Sequence, residues 1–179
     1  MITEINVNGL NVSFKLQNTD YQVANRLRQV LLANITTLSI DTVNIITNDS
    51  INCYDEYLAH RLGLIPLKCD TDIEVEDVKF ELNVHAVTEV RNVTTKDLIS
   101  NSQVVPVDND FLICKLHRGQ SLHFNALVKY GTGSEHTKWS PITSITFKPL
   151  KDGHYFEMET LGTIKPELLI EKALRILTH

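Results

Sequence analysis

The sequence predicts an α+β fold, and three observations carry it. Apolar and polar residues alternate with period two near the start and in the middle of the chain. Apolar stripes of helical period lie near both ends. Turn chemistry separates these segments. The 179 residues fit one domain or two small ones. A hydrophobic fraction of 42% and a mean hydropathy of −0.09 are ordinary for a globular chain with a real core.

Residues 3–16 alternate: Ile5 and Val7, then Val12, Phe14 and Leu16. Asn8-Gly9 between the two runs is a two-residue hairpin signal. Thr19 followed by Gln22 has capping-box spacing. It opens a helix over roughly 20–33 that buries Val23, Leu27, Val30 and Leu31 on one face, with Ala24 and Leu32 off the stripe. The β-branched run 38–47 is a strand, ended by Asn48-Asp49-Ser50. A short helix over 54–62 follows. Asp55 and Glu56 at its start and His60 and Arg61 at its end complement the macrodipole. Gly63 is expected to close it in the left-handed conformation, with Pro66 preventing continuation.

The composition changes after Leu67, where Cys69 and an acidic run through Asp77 mark a boundary. Val78, Phe80, Leu82, Val84 and Ala86 alternate as a half-buried strand. Residues 92–109 read as loop or irregular strand around Val104-Val105-Pro106. Phe111–Leu116, a turn at Arg118-Gly119, and Leu122–Val128 predict a hairpin. These segments form a β-rich insert over 68–136, closed by Gly131-Thr132-Gly133-Ser134. Strands then return over 139–147 and 155–160, joined at Lys151-Asp152-Gly153. Pro166 starts a last helix, whose stripe is Ile170, Ala173, Leu174 and Leu177.

Several function classes are disfavoured. A net charge of −5 argues against a broad phosphate-binding surface, so Arg26, Arg28, Arg61 and Lys68 fit an acidic protein surface better than nucleic acid. Cys53, Cys69 and Cys114 are odd in number and unclustered, as in reduced intracellular proteins. No signal peptide and no membrane span is read. His117, His123 and His136 are scattered without cysteine partners. Gly131-Thr132-Gly133 lacks the rest of a phosphate loop. Asp55, Glu56 and His60 could be an acid–base or metal set, but helix-end charges explain them better.

The spelling of four blocks resembles one family. Asp55 to Leu67 reads DEYLAHRLGLIPL, Asn25 to Arg28 reads NRLR, Gly131 to Pro141 ends in Lys-Trp-Ser-Pro, and Glu159 to Gly162 leads into the last helix. With Ser39 to Val43, these are similar, in order, to the third-largest subunit of eukaryotic RNA polymerase II and to its archaeal counterpart. Both are related to the amino-terminal domain of bacterial alpha. The resemblance implies a non-catalytic assembly subunit of a DNA-directed RNA polymerase, with no cofactor. It implies a dimerisation domain split between 1–67 and 137–179, and an inserted β-rich domain over 68–136.

In that family the first and last helices pack on a smaller alpha-like subunit, which assigns Val23, Leu27, Val30, Leu31, Ile170, Ala173, Leu174 and Leu177 to a partner interface. Contact with the large catalytic subunits would fall to Arg26, Arg28, Leu32 and Arg61. No direct sequence-specific contact with DNA is implied, and no membrane. Gln29 replaces the second arginine of the family's Leu-Arg-Arg. Cys69 stands alone where relatives carry zinc or iron–sulfur inserts, so neither is expected. The end at His179 suggests a compact member, such as a large DNA virus would carry. The location is intracellular, with nucleus, cytoplasm and virion not distinguished. The alternatives are an alpha-like homodimer with the same scaffold role, and a small stand-alone enzyme using Asp55, Glu56 and His60.

Overall fold

The computed structural model describes residues 2–68 and 78–178; Cys69 and the acidic run to Asp77 lie outside the described residues. The chain begins with β1 (Ile2–Asn8), β2 (Asn11–Gln17), α1 (Tyr21–Ala33) and β3 (Thr36–Asn48). Next come α2 (Asp55–Gly63), β4 (Leu67–Lys68), β5 (Lys79–His85) and β6 (Arg91–Thr94). Short strands β7 (Ile99–Ser100) and β8 (Val105–Pro106) precede β9 (Leu112–Leu116) and the long β10 (Ser121–Thr132). The last elements are β11 (Ile142–Leu150), β12 (Gly153–Thr160) and α3 (Pro166–Thr178). The elements are mixed α and antiparallel β, as the α+β class requires. They divide into two compact units, residues 1–37 with 131–179, and residues 38–130.

The first unit is an antiparallel sheet, β1-β2-β12-β11, with α1 and α3 packed on each other and α1 on β11. Val12, Phe14 and Leu16 alternate into the core and meet Phe156 and Met158 of β12. Phe14 and Phe156 stack with centroids 4.9 Å apart, and Phe147 lies 5.2 Å from Phe156. The first turn differs from expectation by one residue. Asn8 pairs with Asn11, so the turn is Gly9-Leu10, with Gly9 at φ +61°. β1 is an edge strand, and Ile5 and Val7 remain exposed.

The capping of α1 also shifts by one residue. Asp20 is the N-cap and accepts from the Val23 amide at 2.8 Å, whereas the Thr19 hydroxyl donates back to the Leu16 carbonyl. The buried face is Ala24, Leu27, Val30 and Leu31, with Val23 outside. A core centred on Leu27 and Leu31 selects the residue three before Leu27, not four. In α3 the buried residues are Leu169, Ile170 and Ala173.

The second unit contains the sheet β3-β10-β5-β7 and the pairs β4-β8 and β6-β9. Phe80, Leu82 and Val84 pair across to Ala126, Phe124 and Leu122, all buried. Leu38 and Ile40 of β3 and Leu58 and Leu62 of α2 belong to this same core. The compact unit therefore begins at Leu38 and ends at Tyr130, not at the expected borders of 68 and 136. The expected hairpin over 111–128 does not form. β9 pairs with β6, β10 pairs with β5 and β3, and the turn at Arg118-Gly119 carries the chain from one sheet to another. α2 starts and ends with its expected charges, but Gly63 stays helical. Leu64 closes the helix through its amide, which donates to the His60 and Arg61 carbonyls.

Candidate assembly interface

The structure separates the eight residues assigned to a partner interface. Leu27, Leu31 and Ala173 have no exposed surface, and Val30 and Ile170 have almost none. They hold α1 and α3 on their own sheet. Leu174 and Leu177 pack against that core and are part-exposed, as is Leu32. Val23 stands 42% exposed. Leu168 and Ile176, which the sequence stripe omitted, are 43% and 37% exposed. They lie eight residues apart, about 80° from each other around the axis of α3. The aliphatic residues of α1 and α3 most open to solvent are thus Val23, Leu168 and Ile176, with Leu174 and Leu177 part-exposed.

A glycine-rich turn fixes the end of α1. The Ser134 amide donates to the Ala33 carbonyl at 2.9 Å, one of the carbonyls left open at a helix end. The Thr37 hydroxyl donates to the Trp139 carbonyl at 2.6 Å. Both glycines are required by close approach. A Cβ on Gly131 would overlap the Trp139 ring, and one on Gly133 would overlap the Leu32 carbonyl oxygen. Gly133→Ala should therefore destabilise the first unit by about 1–3 kcal/mol, the usual effect of overpacking. Trp139 is the single tryptophan and is buried, so its emission during denaturant titration reports the change. An unchanged midpoint would refute the close approach.

The expected large-subunit residues divide as well. Arg26 is exposed. Arg28 is held by its own helix, its Nε and Nη2 donating to Asn25 Oδ1 at 3.1 and 3.0 Å. Arg61 is bound into the second unit: Nε donates to the Ile113 carbonyl at 2.9 Å, Nη2 to the Leu112 carbonyl, and Nη1 to the Tyr57 hydroxyl at 3.2 Å. It ties α2 to β9, a structural role the sequence did not announce.

Asp55, Glu56 and His60 are all exposed. Asp55 accepts from Asn48 Nδ2 at 2.8 Å, which fixes the start of α2. Neither of two clefts, one on the first sheet and one beside Leu64, is lined by any of the three. Among the described residues, no three His, Cys, Asp or Glu side chains are grouped to hold a metal ion.

Cys53 and Cys114 are buried free thiols in the second core. Burial, and then the neighbouring Cys53 charge, push the Cys114 thiol up to about 11, while Arg61 pulls it down. A raised value means the native state keeps a proton that the unfolded chain releases near 9.0. This contribution to stability is full below pH 9 and lost as pH rises through about 11. Stability should fall across that window, and Cys114→Ala should flatten the fall. An identical alkaline profile for the variant would contradict this.

The helix-bearing sheet unit is built from both ends of the chain, and the β-rich unit lies between its halves in sequence. The chain belongs to the RNA polymerase Rpb3/RpoA insert domain family, whose model matches residues 39–144. It is 40% identical over 167 residues to DNA-directed RNA polymerase II subunit rpb3 of Dictyostelium discoideum, covering 78% of this chain and 55% of that protein. Against DNA-directed RNA polymerases II, IV and V subunit 3 of Arabidopsis thaliana it is 37% identical over 166 residues, with 75% and 52% covered. Against DNA-directed RNA polymerase subunit Rpo3 of Pyrococcus horikoshii it is 38% identical over 138 residues, with 73% and 52% covered. The chain spans about half the length of the curated relatives it matches.

Proposed function

We propose that the chain is a non-catalytic assembly subunit of a multisubunit DNA-directed RNA polymerase. Its relatives are named as subunits of such polymerases in an amoeba, a plant and an archaeon. The partner on α1 and α3 is a smaller alpha-like subunit, and the pair forms a platform for the large catalytic subunits. The observation that carries this reading is that Val23, Leu168 and Ile176 stand exposed on two helices whose other faces are committed to their own core. An obligate interface is apolar and resembles a core cut in half. Asp55, Glu56 and His60 are exposed and line neither of the two clefts described above, which favours a scaffold over an enzyme.

The proposed location is intracellular, with the polymerase. Among the described residues, no helix is long and apolar enough to cross a membrane. Purification of the tagged chain from its native source tests the reading. Large and small polymerase subunits should co-purify in fixed ratio. Recovery of the chain without any polymerase subunit would remove it.

A further inference from the structure

α2 presents solvent with one continuous line of large side chains. Tyr54, just before the helix, and Tyr57, Arg61 and Leu64 follow a three-four spacing and share a face. Tyr54 is 67% exposed and Leu64 50%. The Tyr54 and Tyr57 rings lie 5.8 Å apart, and the Arg61 guanidinium 5.6 Å from the centre of Tyr57. At the far end is a cleft of about 350 Å³ lined by Arg61, Leu64, Ile65, Pro66, Phe111 and Leu112.

Arg61 is the one charged group in that lining, and it is immobilised. Hydrogen bonds to Ile113, Leu112 and Tyr57 engage all three of its nitrogens. Three of the five guanidinium N–H donors are used in this way, so Arg61 still offers a newcomer its flat face and one N–H on each η nitrogen. Such a face stacks on aromatic rings. We propose that this cleft is a docking pocket for a single aromatic side chain presented by a protein partner. The kind of partner rests on the assembly reading above; the chemistry of the pocket does not.

The complementarity is electrostatic and apolar together. The negative face of a ring meets a fixed cation, while leucine, isoleucine, proline and phenylalanine supply apolar walls. A carboxylate would find three of the five guanidinium donors already engaged. A nucleobase would bring its phosphate to a chain of net charge −5. Tyrosine, arginine and tryptophan also dominate the residues that anchor protein interfaces.

The test titrates the full chain with N-acetyl-tryptophanamide, following the methyl resonances of Leu64, Ile65 and Leu112. N-acetyl-leucinamide and adenosine monophosphate serve as comparisons. The tryptophan compound should shift all three residues saturably and bind the most tightly. Leu64→Asp, a change on an exposed side chain, should weaken it roughly tenfold. Arg61→Lys, which keeps the charge and loses the plane, should also weaken it, with circular dichroism checking that the fold survives. Equal binding of the leucine compound, tighter binding of the nucleotide, absence of a saturable shift, or indifference to Leu64→Asp would overturn the proposal. Polymerase subunits co-purifying with the chain in any of those cases would leave the assembly reading standing.

Discussion

Phe156→Ala should destabilise the first unit by about 3–5 kcal/mol, the typical loss for a buried phenylalanine. Phe156 has no exposed surface and stacks against both Phe14 and Phe147. Its removal leaves a cavity and breaks two aromatic contacts, each worth about 0.5–1.5 kcal/mol beyond area. Native domains hold only about 5–15 kcal/mol in total. The variant should therefore unfold at a markedly lower denaturant concentration, read from Trp139 emission. Phe147→Ala should cost less, because Phe147 is part-exposed at the edge of the cluster. Equal midpoints for wild type and Phe156→Ala would mean that this stack does not hold the sheet together.

The second large effect concerns binding and should leave the isolated fold intact. Leu168→Asp with Ile176→Asp places two carboxylates on the exposed face of α3. In the free chain both carboxylates can reach water, so the loss of stability should be small beside the loss of binding. Under a partner each would be a buried, unpaired charge, at about 3 kcal/mol or more apiece. Affinity should fall more than roughly a hundredfold. Leu174→Asp is a harsher change, because Leu174 also packs on its own core. It should lower stability as well as binding, and denaturant titration beside a binding assay separates the two. Full affinity in the double variant would move the interface away from α3.

Local signals in the sequence were legible where local physics decides. The charges at the ends of α2 and the strict alternation of residues 78–86 each produced the expected element. What escaped depends on distant partners. The segments 112–116 and 121–132 are strands as read, but they pair with β6 and with β5 and β3, not with each other. Strand propensity says nothing of the partner. Arg61 binds backbone carbonyls 51 and 52 positions away, and backbone acceptors leave no mark in a sequence. Leu169 was missed because the apolar run Leu168-Leu169-Ile170 admits more than one helical phase. The composition shift after Leu67 does not coincide with the border of the second unit, because Leu38 and Ile40 of β3 and Leu58 and Leu62 of α2 are buried in that core.

The assignment of Val23, Leu168 and Ile176 to a smaller subunit is the centre of the account. Native mass spectrometry tests it most directly, on the chain alone and mixed with the smaller alpha-like subunit of the same polymerase. A one-to-one heterodimer should form with the wild-type chain and disappear with the Leu168→Asp, Ile176→Asp pair. A chain that stays monomeric beside that subunit, or that pairs only with a second copy of itself, would contradict the account.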